Sequence, residues 1–568
     1  MNAARANQAA AEPHSDAGLS PDLTRRETVL VMLCVLVGML LAALDQTIVG
    51  TAMPQIVADL RGLEHYAWVA TSYMLASTVT VPIFGKLSDM YGRRLFYIGG
   101  MVIFLIGSAL CGMSQDLTQL IIFRGVQGLG AGAMMPVAIA IIGDIFPPSE
   151  RGKWQGLTMG VLGLSTAAGP ILGGWIADSW GWPWVFYVNM PIGVAAVALC
   201  VAFLPRSSRR SNHNIDYLGA AALIGAATPL LLGFSWAGTE YAWGSPQVIG
   251  LLSLAAVMTV AFVLIEMRAV EPILSPSLFR NRIFSVSVFV TFVVAMGMFG
   301  ATLYVPLFIQ AILGESATSS GLIMTPMMIA FIVSVIIGGQ LLSRTGRYRR
   351  QAIGGIGLAT VGMLLLSRMD VGSSARDMII NMTVLGLGLG IGMTLFTIVV
   401  QNAFSSTRLG EVSSAMQFFR SIGGTIGIAV FGSIMTNRYR DVFDSTLDPQ
   451  VRAALTPDQV ADLRNPQVLL TNDTTQEIRA TFDALGSNGQ MLYDQFMVAV
   501  RESLTTAITS LFAVGALAMF IGFVVVCFLP EIPLRRTRRG GPETPAEPAT
   551  DTNAATPLTG PPVPATAD

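Results

Sequence analysis

Two side chains that can carry a charge or a proton, and one polar amide a turn away, stand inside long apolar runs. Asp45 lies in LDQTIVGTAMP (44–54), and Arg124 and Gln127 lie in IIFRGVQGLGAGAMMP (121–136). A bare arginine at mid-bilayer depth costs roughly 3 kcal/mol, and such a residue usually faces protein or a water-filled cavity. Gln127 falls one turn after Arg124, on the same helical face. With Pro54 near one end of its run, a rise of 1.5 Å per residue puts Asp45 roughly 13 Å deep and Arg124 roughly 9 Å deep. The acid and the guanidinium can therefore meet, or share one cavity. Burial favours a neutral carboxyl and a nearby arginine favours the carboxylate. A cationic compound competing for the acid would tip that balance and release a proton. The same two residues also read as a permanent ion pair joining two helices, although buried pairs stabilise weakly.

A second cluster is GKLSDMYGRR (85–94), where Asp89 stands among Arg93 and Arg94 between Gly85 and Gly92. Its negative charge could face the positive N-terminal end of a distant helix near Glu411. A contact of that kind, made in one state and broken in another, would be a conformational latch. A bias of basic residues to one side of a membrane explains Lys86, Arg93 and Arg94 equally well, but not Asp89. A third stretch, GLSTAAGPILGG (163–174), offers Gly163, Gly169, Gly173 and Gly174 for close helix packing against the other half, and Pro170 for a kink. Gln127, Met134, Met135, Met296, Phe299, Tyr304, Met393 and Arg420 are candidates to line an adaptable pocket, methionine being suited to promiscuous surfaces. Arg420 is a second charge deep in an apolar run, open to a role in substrate, proton or structure.

Apolar helices must position these groups. The chain has 568 residues, 52% hydrophobic and 12% charged, with a mean hydropathy of +0.61, against about 25% charged in soluble domains. It reads as an all-α integral membrane protein. A net charge of −1 gives no reason to expect nucleic acid. Cys34, Cys111, Cys200 and Cys527 stand in apolar segments as small hydrophobes, with neither a metal pattern nor a disulfide framework. Residues 1–24 lack a separate short apolar segment with a cleavage site, so the first span is expected to act as an uncleaved signal.

Runs of about 20 apolar residues number about fourteen, at 29–54, 66–86, 95–113, 118–142, 155–178, 184–204, 217–236, 247–266, 283–311, 320–342, 351–369, 378–402, 411–436 and 505–529. Basic residues alternate with their absence from loop to loop, which places both termini in the cytoplasm. Span four reads GLGAGAM from Gly128 and span twelve GLGIGMT from Gly388; GKLSDMYGRR recurs as GQLLSRTGRY (339–348). This internal repeat sets spans nine to fourteen over spans one to six. It pairs Asp89 with Ser343 and Arg124 with Val384, so the charges stay in the first half. The expected organisation is a cytoplasmic segment (1–28), a six-helix half (29–204), two inserted helices with linkers (205–282), a second six-helix half (283–530) with an external loop (437–504), and a disordered cytoplasmic tail (531–568). Within that loop, 457–464 and 490–500 have apolar residues at helical spacing.

Five stretches in order carry a family resemblance: LDQTIVGTAMP, GKLSDMYGRR, RGVQGLGAG (124–132), GLSTAAGPILGG and WPWVFYVNMPIG (182–193). Together they resemble the major facilitator superfamily, and within it the fourteen-helix drug:proton antiporter family, although Gly50 stands where an Asn is common. The second half is similar through its span count, the repeat and AMQFFRSIGG (415–424). The resemblance implies two six-helix halves with a substrate cavity between them and two extra central helices. It implies proton-driven export of amphipathic, cationic organic compounds across the cytoplasmic membrane, by a monomer without cofactor. The alternative cargo is a lipid, a siderophore or an endogenous metabolite. An enzyme is disfavoured, because the histidines are His14, His65 and His213 and no nucleophile set, phosphate loop or metal cluster stands out; a receptor is disfavoured because no sizeable cytoplasmic domain is present.

Overall fold

A computed structural model describes residues 24–60, 66–146, 148–205, 215–238, 241–315, 317–454, 456, 479–483 and 489–533. The N-terminal segment, the tail and the 457–464 pattern lie largely or wholly outside the described residues, as do the side chains of Pro170 and Ser343. The elements are α1 (Arg25–Leu60), α2 (Tyr66–Tyr91), α3 (Arg93–Gly112), α4 (Leu117–Ile145), α5 (Pro148–Trp180), α6 (Pro183–Tyr187), α7 (Asn189–Phe203), α8 (Tyr217–Trp236) and α9 (Pro246–Glu266). They continue as α10 (Arg282–Ala311), α11 (Ala317–Thr345), α12 (Arg349–Ser367), α13 (Ala375–Ala403), α14 (Leu409–Thr446), α15 (Pro449–Ala454) and α16 (Gly489–Val526). Among the described residues, 12 stretches are long and apolar enough to cross a membrane, one of them formed by α6 and α7 together. Helices α2 and α5, at 26 and 33 residues, pack into the same bundle, which is consistent with fourteen crossings.

Side-chain caps start several helices. Asp116 accepts from the Gln119 amide at 2.8 Å, Asp216 from Gly219 at 2.7 Å, and Ser374 with Asp377 forms a reciprocal capping box on α13. Gly92 joins α2 to α3 at φ 102°, and Gly346 makes the corresponding turn after α11 at φ 66°. A side chain at either position would be strained.

The repeat is built into the packing. Gly128 and Gly132 of α4 meet the backbone of Tyr73 and Ser77 in α2, and Gly130 meets Gly100 and Phe104 in α3. In the second half Gly386 and Gly390 meet Met327 and Phe331, and Gly388 meets Gly355 and Ala359. A Cβ on Gly107 would lie 2.5 Å from the Gln127 amide nitrogen, and one on Gly362 would lie 2.5 Å from that of Leu385. These contacts set the register two residues away from the sequence alignment: Gly128 corresponds to Gly386, and Arg124 to the buried Met382 rather than to Val384. Small residues on these faces bring helix backbones together. Gly130→Ala would put its methyl 2.5 Å from the Gly100 carbonyl oxygen, whereas Gly125 has open space within 4 Å. Gly130→Ala is expected to lose about 1–3 kcal/mol of stability and Gly125→Ala almost none. Thermal unfolding of the two purified variants compares them, and equal melting temperatures would refute the close-packing account.

Within the halves α1 packs on α5, and α10 on α14; between them α2 meets α14, and α5 meets α11. The inserted pair α8–α9 rests through α8 on α2 and α14, with Trp68 edge-on to Trp236 at 5.5 Å. Helix α9 buries Val248, Ala255 and Phe262, one residue every two turns, with Glu266 buried at its last turn, and exposes Val257, Val260 and Leu264, as a lipid-facing helix does.

The long connection is shorter than 437–504. Helix α14 continues to Thr446, and α16 begins at Gly489. Charged residues such as Arg438, Arg440 and Asp441 end the apolar run but not the helix. Tyr439 stacks on Phe443, and Phe443 meets Phe496 edge-on. The 490–500 pattern is thus the start of the last long helix, not a separate short one.

Candidate functional site

Helices α1, α4 and α7 bring four polar side chains to one buried point. Arg124 Nη1 donates to Asp45 Oδ2 at 2.6 Å and to Gln127 Oε1 at 2.7 Å. Gln127 Nε2 donates to Asp45 Oδ1 at 2.8 Å, and Asn189 Nδ2 donates to the same oxygen at 2.9 Å. Asn189 also reaches Ser108 Oγ, 3.1 Å away. Asp45, Gln127 and Asn189 are 0% exposed, so the carboxylate is closed off from the protein surface. The network depends on Gly107, whose missing side chain lets α3 approach the backbone of Gln127.

An aromatic ring separates this network from a cavity. The Arg124 guanidinium carbon lies 4.3 Å from the centroid of Tyr73, with Phe186 at 5.9 Å, within the range of cation–π attraction. Tyr73 also lines a cavity of about 250 Å³ between the halves, with Gln46, Thr47, Met135, Phe299 and Gln417 among its walls. No charged side chain is among the described residues lining it. Of the residues expected to face substrate, Met135 and Phe299 line this cavity, and Tyr304 lines a second one beside it. Gln127 belongs to the buried network. Met134 and Met393 are core residues, Met296 abuts Gly427, and Arg420 donates to Gln417 Oε1.

The acidic cluster reaches the other half. Asp89 Oδ1 accepts from the Gly410 amide at 2.9 Å and Oδ2 from the Glu411 amide at 2.6 Å, at the N-terminus of α14. Arg93 pairs with Asp89, with Asp144 at 3.0 Å, and donates to Ser88 Oγ at 2.8 Å. A Cβ on Gly410 would lie 2.6 Å from Asp89 Oδ1, and one on Gly85 would strike Ser414, so both glycines permit the approach. Arg94 stands apart: it donates to the carbonyls of Val201 and Leu204 at the end of α7, 2.6 and 2.9 Å away. Its role there is to satisfy a helix C-terminus, not to join the halves. A second crossing runs from Arg151 Nη1 to Gln401 Oε1 at 3.5 Å, while Gln401 donates to Ser413 Oγ at 3.0 Å.

The glycine-rich stretch of α5 divides its work. Gly163 faces Ile332 of the other half, but Gly169 packs against Thr47 of α1, within its own half. Gly173 is buried and Gly174 has open space around it. Helix α5 runs unbroken through position 170.

Residues 35–428 match the sequence profile of the Major Facilitator Superfamily. The chain belongs to this superfamily. It is 41% identical over 527 residues to the Multidrug transporter protein MdtP of Bacillus subtilis (strain 168), covering 91% of this chain and 95% of that one. It is 35% identical to Multidrug resistance protein 3 of the same organism, covering 90% and 96%. The fold is similar to that of the major facilitator superfamily proton:xylose symporter XylE bound to 6-bromo-6-deoxy-D-glucose, with a TM-score of 0.54 at 14% identity over 90% of this chain and 97% of that one. The protein is thus a multi-pass membrane transporter of the superfamily, not an enzyme, and its relatives include multidrug transporters. Within this major facilitator chain, Asn189, Tyr73, Asp144 and Gly410 escaped the sequence reading. Two of them left a visible signal: Asp144 as an acid closing the apolar run of α4, and Asn189 as a polar residue within the 182–193 stretch.

Proposed function

We propose that this transporter exports amphipathic small organic compounds, cations among them, in exchange for protons, by alternating access across the cytoplasmic membrane. The observation that carries this reading is the Asp45–Arg124–Gln127–Asn189 network, held one aromatic ring from the cavity between the halves. A carboxylate accepting from three donors uses both oxygens. Protonation forfeits at least one of these bonds, so proton uptake requires the network to open. Displacement of Tyr73 by a substrate would expose Asp45 and offer a cation its negative charge. The loss of a proton and the arrival of a cation then become alternatives at one oxygen. The Asp89 contact closes the end that carries the basic loops, while the network and cavity lie farther along the helices. Breaking that contact lets the halves rock. The monomer contains every part of this cycle.

Proton flux in proteoliposomes tests the exchange. An imposed pH gradient should drive uptake of a fluorescent cation such as ethidium in inverted vesicles, and ethidium should drive counterflow of protons. Transport insensitive to the pH gradient would overturn the reading. Orientation has its own test. With both termini cytoplasmic, a single cysteine placed between positions 457 and 478 should react with an impermeant maleimide on intact cells. Reaction only after lysis would reverse the topology.

A further inference from the structure

The central cavity, at about 250 Å³, falls below the roughly 300–1,000 Å³ usual for drug-sized ligands. Beside it lies a second cavity of about 410 Å³. Both are lined by Met74, Thr425 and Ile428, so they adjoin across a shared wall on α2 and α14. Along α14 the two run from Gln417 to Thr436, roughly 28 Å of helix. The far wall is supplied by the inserted pair: Phe234, Ser235, Ala237 and Gly238, at and just after the end of α8, face Leu303, Tyr304 and Leu307 of α10. A Cβ on Gly432 would lie 3.2 Å from Tyr304 Oη, so that glycine leaves room for the tyrosine. The described lining contains hydroxyls and apolar side chains and no charge.

We infer that this second cavity is a subsite for an uncharged, apolar arm of the transported compound, and that α8 is therefore part of the substrate-binding surface. The inference rests on the reading of the central cavity as the substrate site. The polar head occupies the central cavity near Gln46 and Gln417. The arm passes Met74 and Ile428 and lies between α8 and α10. Shape here, rather than charge, discriminates: compounds with a long arm use both cavities, and compact ones use the first alone. The inserted helices, on this account, widen the range of lengths accepted.

The test is equilibrium binding in lipid nanodiscs without any gradient, so a failure of proton coupling leaves it unaffected. The probes are two N-alkyl-1-naphthylamines, one with an ethyl and one with a decyl tail. Ser235→Phe and Ala429→Phe each fill the second cavity from a position that does not itself line the first. For monodisperse variants, decyl-probe affinity should fall about tenfold or more, the equivalent of roughly two lost buried methylenes. Ethyl-probe affinity should stay within about twofold, less than one methylene is worth. Unchanged affinity for both probes, or an equal loss of both, overturns the inference. The wild-type protein supplies a measurement that does not depend on the variants folding. A decyl probe with a terminal diazirine should label 234–238 or 303–307, and labelling confined to other segments also overturns it.

Discussion

Asp45→Asn is expected to abolish pH-driven transport and substrate-induced proton release from the purified protein. On the proposed exchange it removes the group at which proton and substrate compete, and it leaves Arg124 buried without its carboxylate, 2.6 Å away in the wild type. Breaking a buried pair from one side costs about 3–5 kcal/mol, so the single variant tests stability as well as coupling. Asp45→Asn with Arg124→Gln separates the two. It removes both charges, keeps side chains able to hydrogen bond with Gln127 and Asn189, and should recover much of the lost stability. If Asp45 and Arg124 serve only to join α1 to α4, the double variant should transport like wild type. On the coupling account it folds and binds substrate yet releases no proton. Arg124→Lys keeps a charge but not the forked donor geometry and should retain partial activity. Proton release is read with a pH dye in weakly buffered detergent, and equal release from wild type and the double variant would place the coupling acid elsewhere.

Asp89→Asn should weaken the contact that joins the halves while leaving expression near normal. Both carboxylate oxygens now accept amides of α14. An asparagine presents one oxygen and one NH₂ group, so one amide loses its acceptor and the charge facing the helix terminus is gone. Losing one charge-assisted bond costs about 1.5–3 kcal/mol, which shifts a two-state balance by roughly 10- to 150-fold. The population should move away from the state described, and transport should fall. Distance measurements by electron–electron resonance between spin labels on the loop ends of α2 and α14 would report the change. An unaltered distance distribution with wild-type transport rates would remove the latch.

The long-range placement of Asp45 with Arg124, and of Asp89 with the start of α14, could be read from the sequence because charges are rare in apolar helices and depth follows from counting residues. The partners that complete these sites could not. Asn189 and Tyr73 are neutral residues of ordinary type, and their contribution comes from helices brought together by glycines far away in the chain. Gly410 matters for the side chain it lacks, which periodicity does not reveal. The repeat register slipped by two because GLGLG and GLGAG resemble themselves when moved by two residues; backbone contacts with α11 and α12 remove the ambiguity. The limits of α14 and α16 were missed for another reason. Hydropathy marks where a helix leaves an apolar medium, whereas Tyr439, Phe443 and Phe496 continue the helices by packing on each other.

Helix α14 touches Asp89 through Gly410 and Glu411 at one end and lines the second cavity through Met435 and Thr436 near the other. Between Gly410 and Thr436 lie roughly 39 Å of helix. A stiff rod of that length, tilting about its middle, is a balanced lever. A displacement of about 2 Å at the Asp89 end, enough to part the amides from their acceptor, swings the opposite end by a similar distance the other way. If the Asp89 contact opens and closes as proposed, closing one end and reshaping the other become a single mechanical event that needs no relay of side chains through the interior.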